Sequence, residues 1–196
     1  MRKVVFFIFF IVLIIIAGCI KPIVIQPQSL IKEGVEVKIS LLDSYEWSSL
    51  SKDILVINLE ITNLRNESIW AYPLSKAVII DSLNRQYSPV REIVYQKIEP
   101  FSVSLSFSFG VSSQGSSQGT FQITFGDETQ ERELLKLIEK YERMKFKDGR
   151  IFPGATVSGI LLFYISPYRL PGRFILPNVY LEESNKNLNF EFRFER

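Results

Sequence analysis

The chain contains no histidine and a single cysteine. Without histidine it lacks the side chain whose ordinary pKa places proton transfer near neutral pH, and the commonest metal ligand with it. One cysteine cannot close an intramolecular disulfide or build a cysteine-based zinc site. Only two tryptophans and two methionines occur, yet aromatics reach 13% because there are 16 phenylalanines. Charge of one sign is also lacking. The formal net charge is +2, and removing Arg2 and Lys3 from the 23 basic residues leaves 21, equal to the 21 acidic ones. A balanced chain gives no electrostatic reason to expect a nucleic acid partner or an anionic surface. No cofactor motif is present, and none is expected to bind.

What is there begins at the amino terminus. Arg2 and Lys3 precede an unbroken apolar run from Val4 to Ile16, followed by Ala17, Gly18 and Cys19. A basic start, a short apolar stretch and small residues form the layout of an export signal. Counted on through Ile20 the run reaches 17 residues, the low edge of what a membrane-spanning helix needs at ~20, so a membrane anchor is the alternative. Ile16-Ala17-Gly18-Cys19 resembles the lipobox of bacterial lipoproteins: an aliphatic residue, two small residues and a cysteine. That resemblance implies cleavage before Cys19, lipid on its thiol, and a mature protein held on the exported side of the cell membrane or outer membrane. Two or three acyl chains anchor stably, since each buried methylene contributes about 0.8 kcal/mol. Ile20 is not the aspartate that usually retains such proteins at the inner membrane. The expected organisation is a signal peptide over 1–18, a lipidated tether over 19–33, and one domain over 34–196.

The domain reads as β structure. Val35–Leu42 and Ile54–Thr62 alternate apolar and polar residues, and the second ends in the turn cluster Asn63-Leu64-Arg65-Asn66. Short strands are expected around Ile69–Tyr72, Lys76–Asp81 and Gln86–Tyr95. From Phe101 to Val111 the alternation is strict, with phenylalanine, valine and leucine on one face and four serines on the other. Such a strand has one apolar face, and its serine face is expected to meet water or a partner. Ser112–Gly119 repeats SSQG and reads as a flexible loop, with Thr120–Phe125 pairing back as a hairpin. Between Asp127 and Lys147 the period changes. Leu134, Leu137, Ile138 and Tyr141 follow the spacing of an amphipathic helix, with Asp127 and Gln130 as a capping box and Asp148-Gly149 as the stop. Ala155–Ser166, Arg173–Glu182 and Leu188–Glu195 complete eight or nine strands, the pattern of a sandwich.

Three motifs together resemble the telokin-like immunoglobulin-like domains carried by many secreted bacterial lipoproteins. They are Ile57–Asn63 with Asn66-Glu67-Ser68, Val78–Ser82 with Arg85-Gln86-Tyr87, and Ile151-Phe152-Pro153-Gly154 ahead of Gly159–Ile165. The family pattern is a strand with V-x-N and a polar turn, an L-x-D-x-x-G-x-x-Y hairpin, and L-x-P-G before a G-x-x-x-F strand. This chain departs from it by an insertion at about 88–150. The resemblance implies an immunoglobulin-like antiparallel β-sandwich with an inserted β-hairpin and one amphipathic α-helix, an interaction or structural role, and no catalytic residues.

Several short motifs suggest chemistry on paper. Gly115–Gly119 spells the G-x-S-x-G nucleophile elbow, and Ser29/Lys32 and Ser49/Lys52 match S-x-x-K. The elbow needs a histidine partner, and the S-x-x-K pairs lack their companion motifs, so no enzyme is expected. Acids cluster at Asp127, Glu128, Glu131 and Glu133, where they suit a helix start better than a metal. Tyr45-Glu46-Trp47 and Trp70-Ala71-Tyr72 place amphipathic aromatics near loops, which makes Trp47, Trp70 and Tyr72 candidate ligand contacts. The expected function is a non-enzymatic envelope lipoprotein that binds another envelope protein. A carbohydrate or small-ligand binder is the alternative, and a proteinase-inhibitor-like domain a further one.

Overall fold

A computed structural model describes residues 23–42, 44–47, 50, 53–99, 102–112, 115–124, 128–165 and 170–195. Fourteen strands and three helices occur among them. In chain order they are β1 Val24–Gln26, β2 Ser29–Lys32, β3 Val35–Leu41, α1 Ser44–Trp47, β4 Ile54–Asn63, β5 Ile69–Ala71 and α2 Pro73–Lys76. There follow β6 Val78–Asp81, β7 Gln86–Tyr87, β8 Val90–Glu99, β9 Ser102–Ser112, β10 Gly115–Thr124 and α3 Glu128–Met144. The chain closes with β11 Gly149–Ile151, β12 Thr156–Tyr164, β13 Gly172–Leu181 and β14 Lys186–Glu195.

The architecture is an all-β antiparallel sandwich with one long helix. A seven-stranded sheet runs β1-β14-β13-β5-β11, with β6 and β7 continuing beside β13, and a four-stranded sheet runs β12-β4-β3-β2. Alternation explains the interior between them. Leu188, Phe190, Phe192 and Phe194 of β14 join Val35, Val37 and Ile39 of β3 and Ile57, Leu59 and Ile61 of β4 in one apolar core. Phe174 stands edge-on to Phe163 with ring centres 6.1 Å apart. Each fully buried Phe or Leu contributes about 1.5–3 kcal/mol.

A second core lies on the other side of the four-stranded sheet. The insertion forms a three-stranded sheet, β10-β9-β8, followed by α3. Ile54, Val56, Ile160 and Leu162, from the outer face of β4 and β12, meet Leu105 and Phe107 of β9 and Leu134, Leu137, Ile138 and Tyr141 of α3. The middle sheet is therefore apolar on both faces over Ile54–Ile57 and Ile160–Phe163, as unbroken apolar runs require. The buried Tyr141 hydroxyl donates to the Val90 carbonyl, and Tyr95 of β8 donates to Glu131 of α3. That hydrogen bond, with burial and the Glu131 charge, pushes the Tyr95 phenol up to about 12.

The structure corrects several expectations. Residues 24–33 are not a free tether: β1 pairs with β14 and β2 with β3, one strand for each sheet. Ile25 fills a core position, so the run IVIQPQSLIK is two strands separated by Pro27. The SSQG repeat is not a loop throughout. Gly115–Thr124 pairs with β9 as the far strand of the expected hairpin, with a register shift between Ser116 and Gln118. The helix stops at Met144, before Asp148-Gly149, because the chain then joins β12: Phe146 N–H donates to the Ile160 carbonyl at 3.0 Å. Asp148 instead accepts from the Leu74 N–H of α2 at 2.7 Å, and Gly149 starts a strand of the seven-stranded sheet. The insertion thus ends before residue 148. Ser104, expected to face water or a partner, is 8% exposed; it stands in the central strand of its sheet, between Gln96 of β8 and Gln122 of β10 in register. The capping box at Asp127 lies outside the described residues.

Candidate functional site

Two of the three motifs of the family resemblance meet at turns and are tied by hydrogen bonds; the remaining one, the Asp81 hairpin, is held by its own. Asn63 is fully buried. Its amide donates to the carbonyls of Glu67 at 2.8 Å and Ile151 at 3.1 Å, and its carbonyl oxygen accepts from Arg65 N–H at 3.1 Å. The backbone of Asn63 also exchanges bonds with Gly154 and Ala155, so the Asn turn and the Pro-Gly turn form one unit. Glu67 is ion-paired to Arg65 and accepts from Glu183 N–H at 2.9 Å. The stretch Asn66-Glu67-Ser68 accordingly serves as a turn.

Asp81 holds the second hairpin. One carboxylate oxygen accepts from the N–H groups of Leu83 at 2.8 Å and Arg85 at 2.9 Å. The other accepts from Arg85 Nε and the Tyr87 hydroxyl, both at 3.0 Å. Burial works to raise this carboxyl; the Arg85 and Leu83 amides, the Tyr87 hydroxyl and the Arg85 charge outweigh it and hold it below its ordinary value. Asp81 and Tyr87 are thereby joined to each other and hold this hairpin together.

The sequence-predicted aromatic residues separate. Trp47 is 1% exposed and belongs to the second core, with Lys140 Nζ 5.7 Å from its ring centre. It cannot serve as a ligand platform, because the insertion covers it. It shares that core with Leu50 and with Ile54 at the start of β4. Trp70 and Tyr72 do come together. β5 turns Ile69 and Ala71 inward, so Trp70 projects from the outer face of the seven-stranded sheet. The Trp70 and Tyr72 rings lie within 9° of parallel, centres 6.3 Å apart. Directly across the strands from Trp70 stand Tyr180 on β13 and Arg150 on β11. Arg150 pairs with Glu182 at 2.7 Å and lies over the ring of Phe152, which is 60% exposed. Sequence alone does not single out Tyr180, Arg150 and Phe152. The signal that could find them is strand register, which no single strand carries.

This face can bury flat surface and offer hydrogen bonds; it holds no nucleophile or paired acids. The motifs that suggested chemistry are not assembled elsewhere among the described residues. Ser117 falls at the register shift of β10, not in the strand-turn-helix a nucleophile elbow needs. Ser29 donates to Glu36 at 3.0 Å and Lys32 to the Asn189 carbonyl at 2.6 Å, so that S-x-x-K pair is engaged elsewhere. Ser49 and Lys52 lie outside the described residues, as does Cys19.

A cleft of about 400 Å³ opens where α3 ends against the middle sheet, lined by Asn58, Arg143, Lys145, Lys147 and Ser158. Lys145 is committed to Glu142 at 2.5 Å and to the Arg91 carbonyl at 3.2 Å. Cations here complement the carboxyl end of the helix.

No protein-family model matches the chain, and no curated protein is similar to it. Among solved structures, the chain is similar to the Bacillus subtilis protein ycdA, which carries the provisional description of a lipoprotein. Identity is 14% and the TM-score 0.36, and the match covers 84% of this chain and 38% of that one. The chain therefore spans well under half the length of that protein.

Proposed function

We propose that the protein is a lipid-anchored, non-enzymatic binding module of the bacterial envelope, and that the outer face around Trp70 takes a protein partner. The lipobox at Ile16–Cys19 supports the anchor. The observation that carries the binding face is the Trp70–Tyr72 pair, with Trp70 half-buried on an outward strand and bordered by Tyr180, Arg150 and Phe152. Tryptophan, tyrosine, phenylalanine and arginine are the residues enriched where proteins meet. The insertion is the weaker candidate, because Ile93, Leu105, Phe107 and the Leu134–Tyr141 face of α3 are already engaged in the second core. We read the sandwich as immunoglobulin-like, on the meeting of the Asn63 turn with the Pro153-Gly154 turn.

A second reading, carbohydrate binding, is favoured by the near-parallel rings of Trp70 and Tyr72. A photo-crosslinking residue at Tyr180, compared with one at Arg132 on α3, separates the outcomes in intact cells. A discrete protein adduct from position 180 that Trp70→Ala reduces at least several-fold supports a protein partner. Equal adducts from both positions reject this face. Tryptophan quenching by envelope glycans, with no protein adduct, would favour the second reading.

A further inference from the structure

The seven-stranded sheet has two distinct ends. Ile25 pairs with Phe194, Phe194 with Gly172, and Gly172 with Asp81, so these residues stand in one row across the sheet. Val24 lies one step beyond, opposite Glu195, and the chain enters the domain from that side. The β6–β7 turn, Ser82–Arg85, projects past Asp81 at the same end. At its tip Leu83 is 68% exposed, although Asp81 fixes the turn with four hydrogen bonds. Leu64 in the turn at the other end is also exposed, at 56%, so what sets Leu83 apart is the end of the sheet it stands on.

Five residue steps separate Cys19 from Val24. Fully extended, they span at most about 17 Å. β13, with ten residues, carries the opposite end roughly 30 Å away. That end holds Phe152 and the Asn63–Glu67 turn, since Ile151 pairs with Ile69 and Ile69 with Leu181. A membrane anchor at Cys19 therefore reaches one end of the sheet and not the other.

We infer that the end bearing Leu83 rests on a phospholipid surface, with Leu83 set into the interfacial layer and the Phe152 end directed away. This rests on the reading that the chain is anchored at its amino terminus. Among the described residues of the near end, Arg85 is paired with Asp81 and Arg173 with Glu191, and Arg193 and Glu195 stand two residues apart on β14, so the contact is not built on a set of unpaired cations. Neutral phosphatidylcholine suffices.

The test uses the full chain reconstituted in phosphatidylcholine vesicles. With Cys19 blocked by lipid, a cysteine introduced by Ser82→Cys takes an environment-sensitive fluorophore beside an intact Leu83, and Asn66→Cys reports the far end. Brominated acyl chains should quench the probe at 82 several-fold more than that at 66, and aqueous iodide should do the reverse. Adding Leu83→Asp should remove most of the lipid quenching, while Leu83→Phe keeps it. Equal quenching at both positions, or deeper placement of 66, overturns the inference. Intact mass of the same samples distinguishes the failures. A lipidated chain with position 82 in water overturns the orientation alone, and an unlipidated chain that stays free of vesicles overturns the anchor with it.

Discussion

At the scale of residues, the polar groups that matter are those that close turns. Asp81 gathers four donors from three residues, and its lowered pKa makes its contribution depend on pH. The sign is that of a depressed carboxyl. Its stabilisation is complete above the ordinary value of 3.8 and is lost as pH falls through the lower folded value. Asp81→Asn should therefore lower the urea midpoint at pH 7 and flatten the acid limb, because the side chain no longer titrates. An acid limb as steep as that of the parent would show that other carboxylates dominate it. Asn63 acts similarly without charge. Asn63→Ala strands two buried carbonyls and should destabilise by about 1–3 kcal/mol in the same denaturation experiment.

At the scale of elements, a tight constraint lies where the chain leaves α3 for the sandwich. A Cβ on Gly159 would sit 2.5 Å from the Cα of Phe146 and 2.7 Å from its nitrogen. Both are backbone atoms that cannot swing aside, so only glycine lets the 145–147 segment lie along β12. Gly159→Ala should cost about 1–3 kcal/mol by overpacking, read as a lower melting temperature. An unchanged melting temperature would place slack where the structure has contact.

Most strands are legible in the sequence because their faces differ. β14 alternates phenylalanine with polar residues and β9 alternates large apolar residues with serine, so each announces one buried side. The helix is equally clear from Leu134 to Tyr141, and so is the hairpin partner of β9. What the sequence hides is pairing between distant segments. β1 and β2 are short and broken by Pro27, and only their ladders with β14 and β3 make them strands. The middle sheet reads as half-exposed because Ile57–Thr62 alternates, while Ile54–Ile57 does not. That lapse in alternation is the trace of the second core. Trp47 follows from it: an aromatic beside a polar loop looks available, and the insertion covers it. Trp70 and Tyr72 keep their place because Ile69 and Ala71 face inward, whereas Tyr180 and Arg150 join them only through register.

At the scale of the whole molecule, three layers share the middle sheet. The insertion is a third layer rather than an appendage, since it covers Ile54, Val56, Ile160 and Leu162. Replacing residues 91–144 with a short linker should leave a chain that exposes this apolar face. It is expected to aggregate or to bind a hydrophobic dye strongly. A soluble, monomeric and dye-free deletion variant would show that the sandwich is complete without it.

The proposed function turns on one covalent event expected at Cys19 from the Ile16–Cys19 motif. Intact mass spectrometry of the protein extracted from bacterial membranes tests it most directly. The account predicts a chain that begins at Cys19 and carries the added mass of a diacylglyceryl group, and a Cys19→Ser variant that stays an uncleaved, lipid-free precursor. A chain that begins elsewhere, or a Cys19 that carries no lipid, would contradict it.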